Sequence, residues 1–152
     1  MNNTLNIYKV RPTAKLPVRA HPTDAGMDIF YCPEEHSGWL SIKPGGTTLL
    51  ETGLKISVPE GHMLQIMNKS GIATKKQLVT GACVVDSGYD GELFVNLHNI
   101  GTTAQVIEPG QKIAQAVLIP LCIPQIKEIP TDSIYDKETS RGTGGFGSTG
   151  DY

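Results

Sequence analysis

The chain has 152 residues, a length that fits one domain with a core of its own. Aromatic residues make up 6% and Asp, Glu, Lys and Arg 18%, while 17 glycines and 10 prolines signal frequent turns. A formal net charge of −2 excludes the broad basic field of a protein that grips nucleic acid non-specifically and leaves open only a local basic patch.

In chain order, NIYKV (6–10) and MDIFY (27–31) read as strands, the second interrupted by Asp28. LLETGLKISV (49–58) reads as one longer strand and HMLQIM (62–67) as another. KPGG (43–46) and PEG (59–61) supply the turns before them. GIATKKQL (71–78) is the one plausible helix, and it is short. Just before it, NKSGIA (68–73) sets a lysine, a serine and a glycine at a strand end. That is either an anion site or an ordinary turn. GACVVDSGYDGELFV (81–95) reads as a hairpin, with Asp86 ending its first arm and Tyr89 at its tip. Asp86 either activates a water or caps the turn. Asp90 and Glu92 read as solvated hairpin charges. In ELFVNLHNI (92–100), Leu93, Val95 and Leu97 share one face, and Asn96 and His98 the other. KIAQAVLIP (112–120) is a strand in which Gln115 needs a partner if buried, and PQIKEI (124–129) reads as a last strand. The rhythm of short strands and turns predicts an all-β sandwich or barrel.

After Pro130 the composition turns polar and glycine-rich. The reading is a core over 1–130 and a mobile C-terminal arm over 131–152. Within RGTGGFGSTGDY, Gly142, Gly144 and Gly147 fit G-x-G-x-x-G, yet no helix has room to follow. Arg141 offers a bidentate anion donor, and Ser148 and Thr149 offer hydroxyls. Phe146 is an aromatic that wants a flat surface. The arm is either a floppy terminus or a segment ordered by a ligand.

Cys32, Cys83 and Cys122 are odd in number and far apart, so neither a disulfide framework nor a structural zinc site is expected. His21, His36, His62 and His98 show no ligand spacing. With no leader pattern and no apolar run of membrane length, a soluble cytoplasmic protein is expected, with no membrane partner and no stable nucleic-acid binding.

Taken in order, the pieces resemble the five motifs of the homotrimeric dUTP pyrophosphatases, the dUTPase family. AGMDIF is similar to the first, NKSGIA to the second, GACVVDSGYDGE to the third, GQKIAQ to the fourth and RGTGGFGSTG to the fifth. The resemblance runs from about Ala25 to Gly150. It implies a β-clip, jelly-roll-like barrel and a homotrimer whose active sites are shared between subunits. The arm would cross to a neighbour and close over the nucleotide, which is why its glycine loop needs no helix behind it. The implied activity is Mg²⁺-dependent hydrolysis of dUTP to dUMP and pyrophosphate, in the cytoplasm of a cell or, for a virus or phage, of its host. It would limit uracil incorporation into DNA and supply dUMP.

The implied roles follow the motifs. Asp86 activates the water. Lys69, Ser70 and Gly71 contact phosphates, and Arg141, Phe146, Gly147, Ser148 and Thr149 close over the substrate. Backbone around Cys83, Val84 and Val85 reads the uracil, flanked by Thr80 and Phe94. Tyr89 packs on the deoxyribose and leaves no room for a 2′-hydroxyl. Asp28 and Gln115 act on Mg²⁺ through water, and Gln115 also serves the substrate. The chain departs from the family at Lys69, normally arginine, and at Gln111 and Lys112, normally an acidic residue and arginine. Thr80 and Cys83 stand where an amide and a glycine are common, and Gly88 where D-x-D-Y has its second acid. D-x-G-Y also occurs in dCTP deaminases, but Asn96 stands where their catalytic glutamate belongs. The alternatives are therefore a dCTP deaminase-like enzyme and a non-catalytic trimeric nucleotide-binding or sensor protein.

Overall fold

Every strand pairing among the described residues is antiparallel, and most join segments distant in sequence. The structure is a computed structural model that describes residues 4–34, 38–132 and 134–145. His36 and the arm residues Phe146, Gly147, Ser148 and Thr149 lie outside the described residues. Two compact units are present, Met1–Cys122 and Ile123–Tyr152.

The first unit holds β1 (Asn6–Lys9), β2 (Met27–Phe30), β3 (Leu40–Ile42), β4 (Thr47–Glu51), β5 (Leu54–Ser57) and β6 (His62–Met67). After these come α1 (Ser70–Lys76), β7 (Leu78–Thr80), β8 (Val84–Asp86), β9 (Phe94–Asn99), β10 (Gln105–Ile107) and β11 (Lys112–Pro120). One sheet has the order β2-β11-β6-β8 and a second β4-β9-β7, with two-stranded ribbons β1-β5 and β10-β3. The sheets enclose one core of aliphatic side chains, among them Ile29, Leu50, Leu64, Val95, Leu97 and Ile113. Burying each such side chain is worth roughly 1.5–3 kcal/mol. This is the all-β, jelly-roll-like architecture expected from the sequence.

Several elements differ from expectation. The run 49–58 is two strands, because Gly53 turns the chain with φ of 69° and β4 and β5 leave for different sheets. Residues 81–95 are not a paired hairpin. β8 pairs with β6, while β9 pairs with β4 and β7, so the two arms diverge into separate sheets. The run 124–129 is not a strand: it has no ladder partner among the described residues, and Ile126 is fully exposed. β3, β7 and β10 have no counterpart in the sequence reading; each is three residues long, too short to display a period.

The second unit, taken by itself, contains no helix or strand among its described residues. Its described residues include a turn around Gly142, whose φ is 52°. The N–H of Gly142 donates to the Thr139 carbonyl at 3.1 Å, and Arg141 Nε donates to the Gly144 carbonyl at 3.1 Å.

Candidate active site

The outer face of the four-stranded sheet carries the first cluster. Gln115 of β11 stands in register with Asp28 of β2 on one side and Met67 of β6 on the other. Asp28 is 4% exposed, an expensive place for a carboxylate unless it is paired. Lys69 Nζ lies 2.7 Å from its Oδ1 and Lys112 Nζ 2.6 Å from its Oδ2. Both contacts are ion pairs. Burial pushes the Asp28 carboxyl up, but Lys112 and Lys69 together outweigh it and hold its pKa below the ordinary value.

Lys112 reaches Asp28 because of a β-bulge. Gln115 stands three positions after Lys112, an odd offset that on a regular strand sends them to opposite faces. The register with β2 shifts between Lys112 and Ala114, so Ile113 is the extra residue and Lys112 turns to the face of Gln115. Gln115 Nε2 donates to the Asn68 carbonyl at 2.9 Å. Asn68 Oδ1 in turn accepts from the Thr80 N–H at 2.7 Å and the Thr80 hydroxyl at 3.0 Å. Lys69 occupies the N-cap of α1 without a side-chain cap, because an ammonium has no lone pair to accept from the helix N–H groups; its Nζ donates to Asp28 instead. Ser70 and Gly71 open the helix, and both are exposed. The cluster presents two ammonium groups at the surface, fixed by one buried acid.

The second cluster lies where the two sheets part. β8 is an edge strand, bonded to β6 on one side only. Because β9 leaves for the other sheet, a cleft of about 240 Å³ opens between them. Cys83, Val84, Val85 and Asp86 wall it on one side, Leu49 and Phe94 on the other, and Tyr89 also lines it. The free backbone edge of a strand is a ruler of donors and acceptors at fixed spacing, suited to a flat heterocycle. Asp86 ends β8 and is exposed. The chain then turns sharply, with the Tyr89 N–H donating to the Asp86 carbonyl at 3.3 Å and Gly88 at φ of 89°. Glycine takes that position without steric cost, which accounts for Gly88 following Ser87 here.

Thr80 does not line the cleft; it is turned to Asn68 in the first cluster. Asn96 is a structural amide, donating to the Thr47 hydroxyl and the Thr48 carbonyl at 3.0 Å each and accepting from the Ala82 N–H at 3.2 Å. Glu92 is not a solvated charge: its side chain is 15% exposed and paired with Arg11. Asp90 is exposed, as expected, and sits 3.4 Å from Lys55. A larger hollow of about 620 Å³ runs along β1 and β5 and shares Tyr89. Among the described residues its only carboxylate is that exposed Asp90, whereas Asp86 lines the smaller cleft.

The two clusters are separated along β6. Asp86 faces Met63 near the start of the strand, whereas the cations stand beyond Met67 at its end. Met63 to Met67 alone spans roughly 13 Å at the rise of a strand. No group of three or more His, Cys, Asp or Glu residues converges on a metal position among the described residues. Asp28 does not fit a metal ligand either, since both its oxygens face ammonium groups. No helix among the described residues is long and apolar enough to cross a membrane.

Known proteins resemble this chain over nearly its whole length. Residues 13–150 match the sequence model of the family described as dUTPase. The deoxyuridine 5'-triphosphate nucleotidohydrolase of Clostridium tetani (strain Massachusetts / E88) is 40% identical over 149 residues, covering 97% of each chain. That of Alkaliphilus metalliredigens (strain QYMF) is 39% identical over 148 residues, covering 96% of each. Among solved structures, the dUTPase of Staphylococcus bacteriophage 80alpha with dUPNHPP superposes with a TM-score of 0.87 at 28% identity, covering 98% of this chain and 99% of that one. A mutant dUTPase from phage phi11 of S. aureus, described with a structural Mg(II) ion, gives 0.76 at 26% identity over 85% of this chain and 98% of its own.

Proposed function

This chain belongs to the dUTPase family and is a dUTP nucleotidohydrolase, and from that premise we propose how its residues divide the work. The observation that carries the assignment is Asp86 at the mouth of a cleft walled by an unpaired strand edge. Uracil would lie against Cys83, Val84 and Val85, whose backbone groups pair with its edge. Phe94 closes the opposite wall, and Tyr89 packs on the sugar. Asp86 accepts a proton from a water as that water's oxygen bonds to the α-phosphorus. The bond from the α-phosphorus to the bridging oxygen breaks in line, releasing dUMP and pyrophosphate. Most of the acceleration would come from positioning and from cations aimed at the charge that develops on the phosphates.

Those cations are Lys69 and Lys112, with Ser70 and Gly71 beside them and Arg141 from the arm. A single triphosphate cannot lie at both ends of β6 of one chain. That separation favours a homotrimer in which the cleft of one subunit meets the cations of a second and the arm of a third. Asp28 then serves as counter-ion to the lysines and not as a metal ligand, and Mg²⁺ would enter with the triphosphate.

The deciding measurement is pyrophosphate release from dUTP and from dCTP, in wild type and Asp86→Asn. We expect release from dUTP alone, and a loss of about 10²–10⁴-fold in kcat for the variant with dUTP still bound. Ammonia from dCTP would favour the deaminase. Binding without turnover in wild type would favour a sensor.

A further inference from the structure

The loop that carries Tyr89 is poorly suited to hold a ring still. Tyr89 is 50% exposed and has glycines at 88 and 91 on either side. Discriminating against one extra hydroxyl by bulk requires that the ring cannot retreat, and tolerances for such a wall are about 0.5 Å. Among the described residues one side-chain hydrogen bond holds the ring: the Tyr89 hydroxyl donates to the Glu92 carbonyl at 3.0 Å. The ring passes so close to Gly91 that a Cβ there would lie 2.2 Å from the Tyr89 oxygen.

Glu92 is itself anchored. Its carboxylate accepts from Arg11 Nη2 and from the Gly53 N–H, the latter at 2.8 Å, and the Leu93 N–H donates to the Leu54 carbonyl at 2.8 Å. Arg11 follows β1, far from every sequence motif named above, and its Nε also donates to the Cys32 carbonyl at 3.2 Å. Both side chains are mostly buried, at 16% and 15% exposure. Burial pulls the Arg11 pKa down, but Glu92 and the Cys32 contact outweigh it and leave it raised. The chain of contacts runs from the N-terminal segment through Arg11 to Glu92 and ends on the phenol of Tyr89.

We propose that the Arg11–Glu92 ion pair is a positioning device for Tyr89 and so sets the discrimination between 2′-deoxyribose and ribose. This rests on the reading that Tyr89 packs against the sugar. Neither Arg11 nor Glu92 touches substrate in this scheme; the pair acts through the backbone carbonyl that holds the ring. An ordinary structural staple would behave differently, because weakening it would lower turnover of both nucleotides alike.

The test measures kcat/KM for dUTP and UTP in wild type, Arg11→Lys, Glu92→Gln, Tyr89→Phe and Gly91→Ala, with a thermal melt of each. Arg11→Lys keeps the charge but loses the fork, and Glu92→Gln keeps the shape but loses the charge. Each of the four is expected to lower the dUTP-to-UTP ratio by about tenfold, within the range of such contacts. In the Tyr89→Phe background, Glu92→Gln should lower the ratio no further, since the hold on the ring is already gone. A ratio that stays at the wild-type value in Arg11→Lys and Glu92→Gln, while Tyr89→Phe and Gly91→Ala lower it, overturns the proposal and leaves the sugar reading intact. Additive effects in the cycle also overturn it. An unchanged ratio in Tyr89→Phe also overturns the proposal, since the ring then needs no hold from its hydroxyl, whereas an unchanged ratio in a further variant, Tyr89→Ala, which removes the ring, sinks the sugar reading and the proposal with it. Should Arg11→Lys fail to fold, the isosteric Glu92→Gln and its cycle with Tyr89→Phe decide alone.

Discussion

Asp28 holds one buried negative charge between two partly exposed positive ones. Its carboxyl ordinarily titrates near 3.8 and is held lower in the folded chain. A depressed carboxylate stabilises the fold above its unfolded pKa, and that contribution disappears as pH falls through the folded value. Asp28→Asn, which leaves Lys69 and Lys112 to repel each other, should therefore melt below wild type at pH 6. The gap should begin to narrow as pH drops below about 4 and close only lower still, as the folded wild-type carboxyl itself takes up its proton. Melting curves of both proteins from pH 6 to pH 3 check this; a gap independent of pH would remove Asp28 from the ion cluster. The lysines matter as a pair. Each takes one oxygen of the acid, a division suited to point charges; a forked guanidinium at either position would compete for both oxygens.

At the scale of elements, Gly53 shows how one residue places several others. It lies between β4 and β5 and gives its N–H to Glu92. A Cβ there would lie 2.8 Å from the Ala14 Cβ, at a φ of 69° that alanine resists. Gly53→Ala should cost about 1–3 kcal/mol and lower the melting temperature by several degrees. Denaturant titration measures it, and a loss under about 0.5 kcal/mol would mean the turn yields freely. The same residue shows what sequence could and could not reveal. Pattern alone located β6 and β11 to the residue and the buried face of β9, because each is long enough for the period to repeat. The break at Gly53 is hidden inside one apolar run. The divergence of β8 from β9 is hidden because partners distant in sequence, β6 and β4, win both strands. Asp86, Tyr89 and Gln115 are legible as residues out of place in their surroundings. Lys112 is not legible as a partner of Asp28, since only the bulge at Ile113 brings it to that face. Arg11 and Glu92 escape sequence reading because their pairing spans 81 residues and leaves no local pattern.

For the whole molecule, the question is which chains share a site. Two inactive proteins answer it: Asp86→Ala with its arm, and a chain ending at Pro130 with Asp86 intact. Unfolded together and refolded at equal concentration, they should regain roughly a quarter of the sites if Asp86 and the arm come from different subunits of a cyclic trimer. A mixture that stays dead although native mass spectrometry finds mixed trimers would end the shared-site reading. The distance between the ends of β6 has a further consequence. If one chain holds only part of each site, folding and activity are separate events, and a correctly folded lone subunit is silent. Specific activity should then fall on dilution with unchanged circular dichroism, and total activity should rise with roughly the cube of subunit concentration below the assembly threshold. Such a chain reports its own abundance: scarce copies do nothing, and hydrolysis switches on steeply once synthesis carries the population past that threshold.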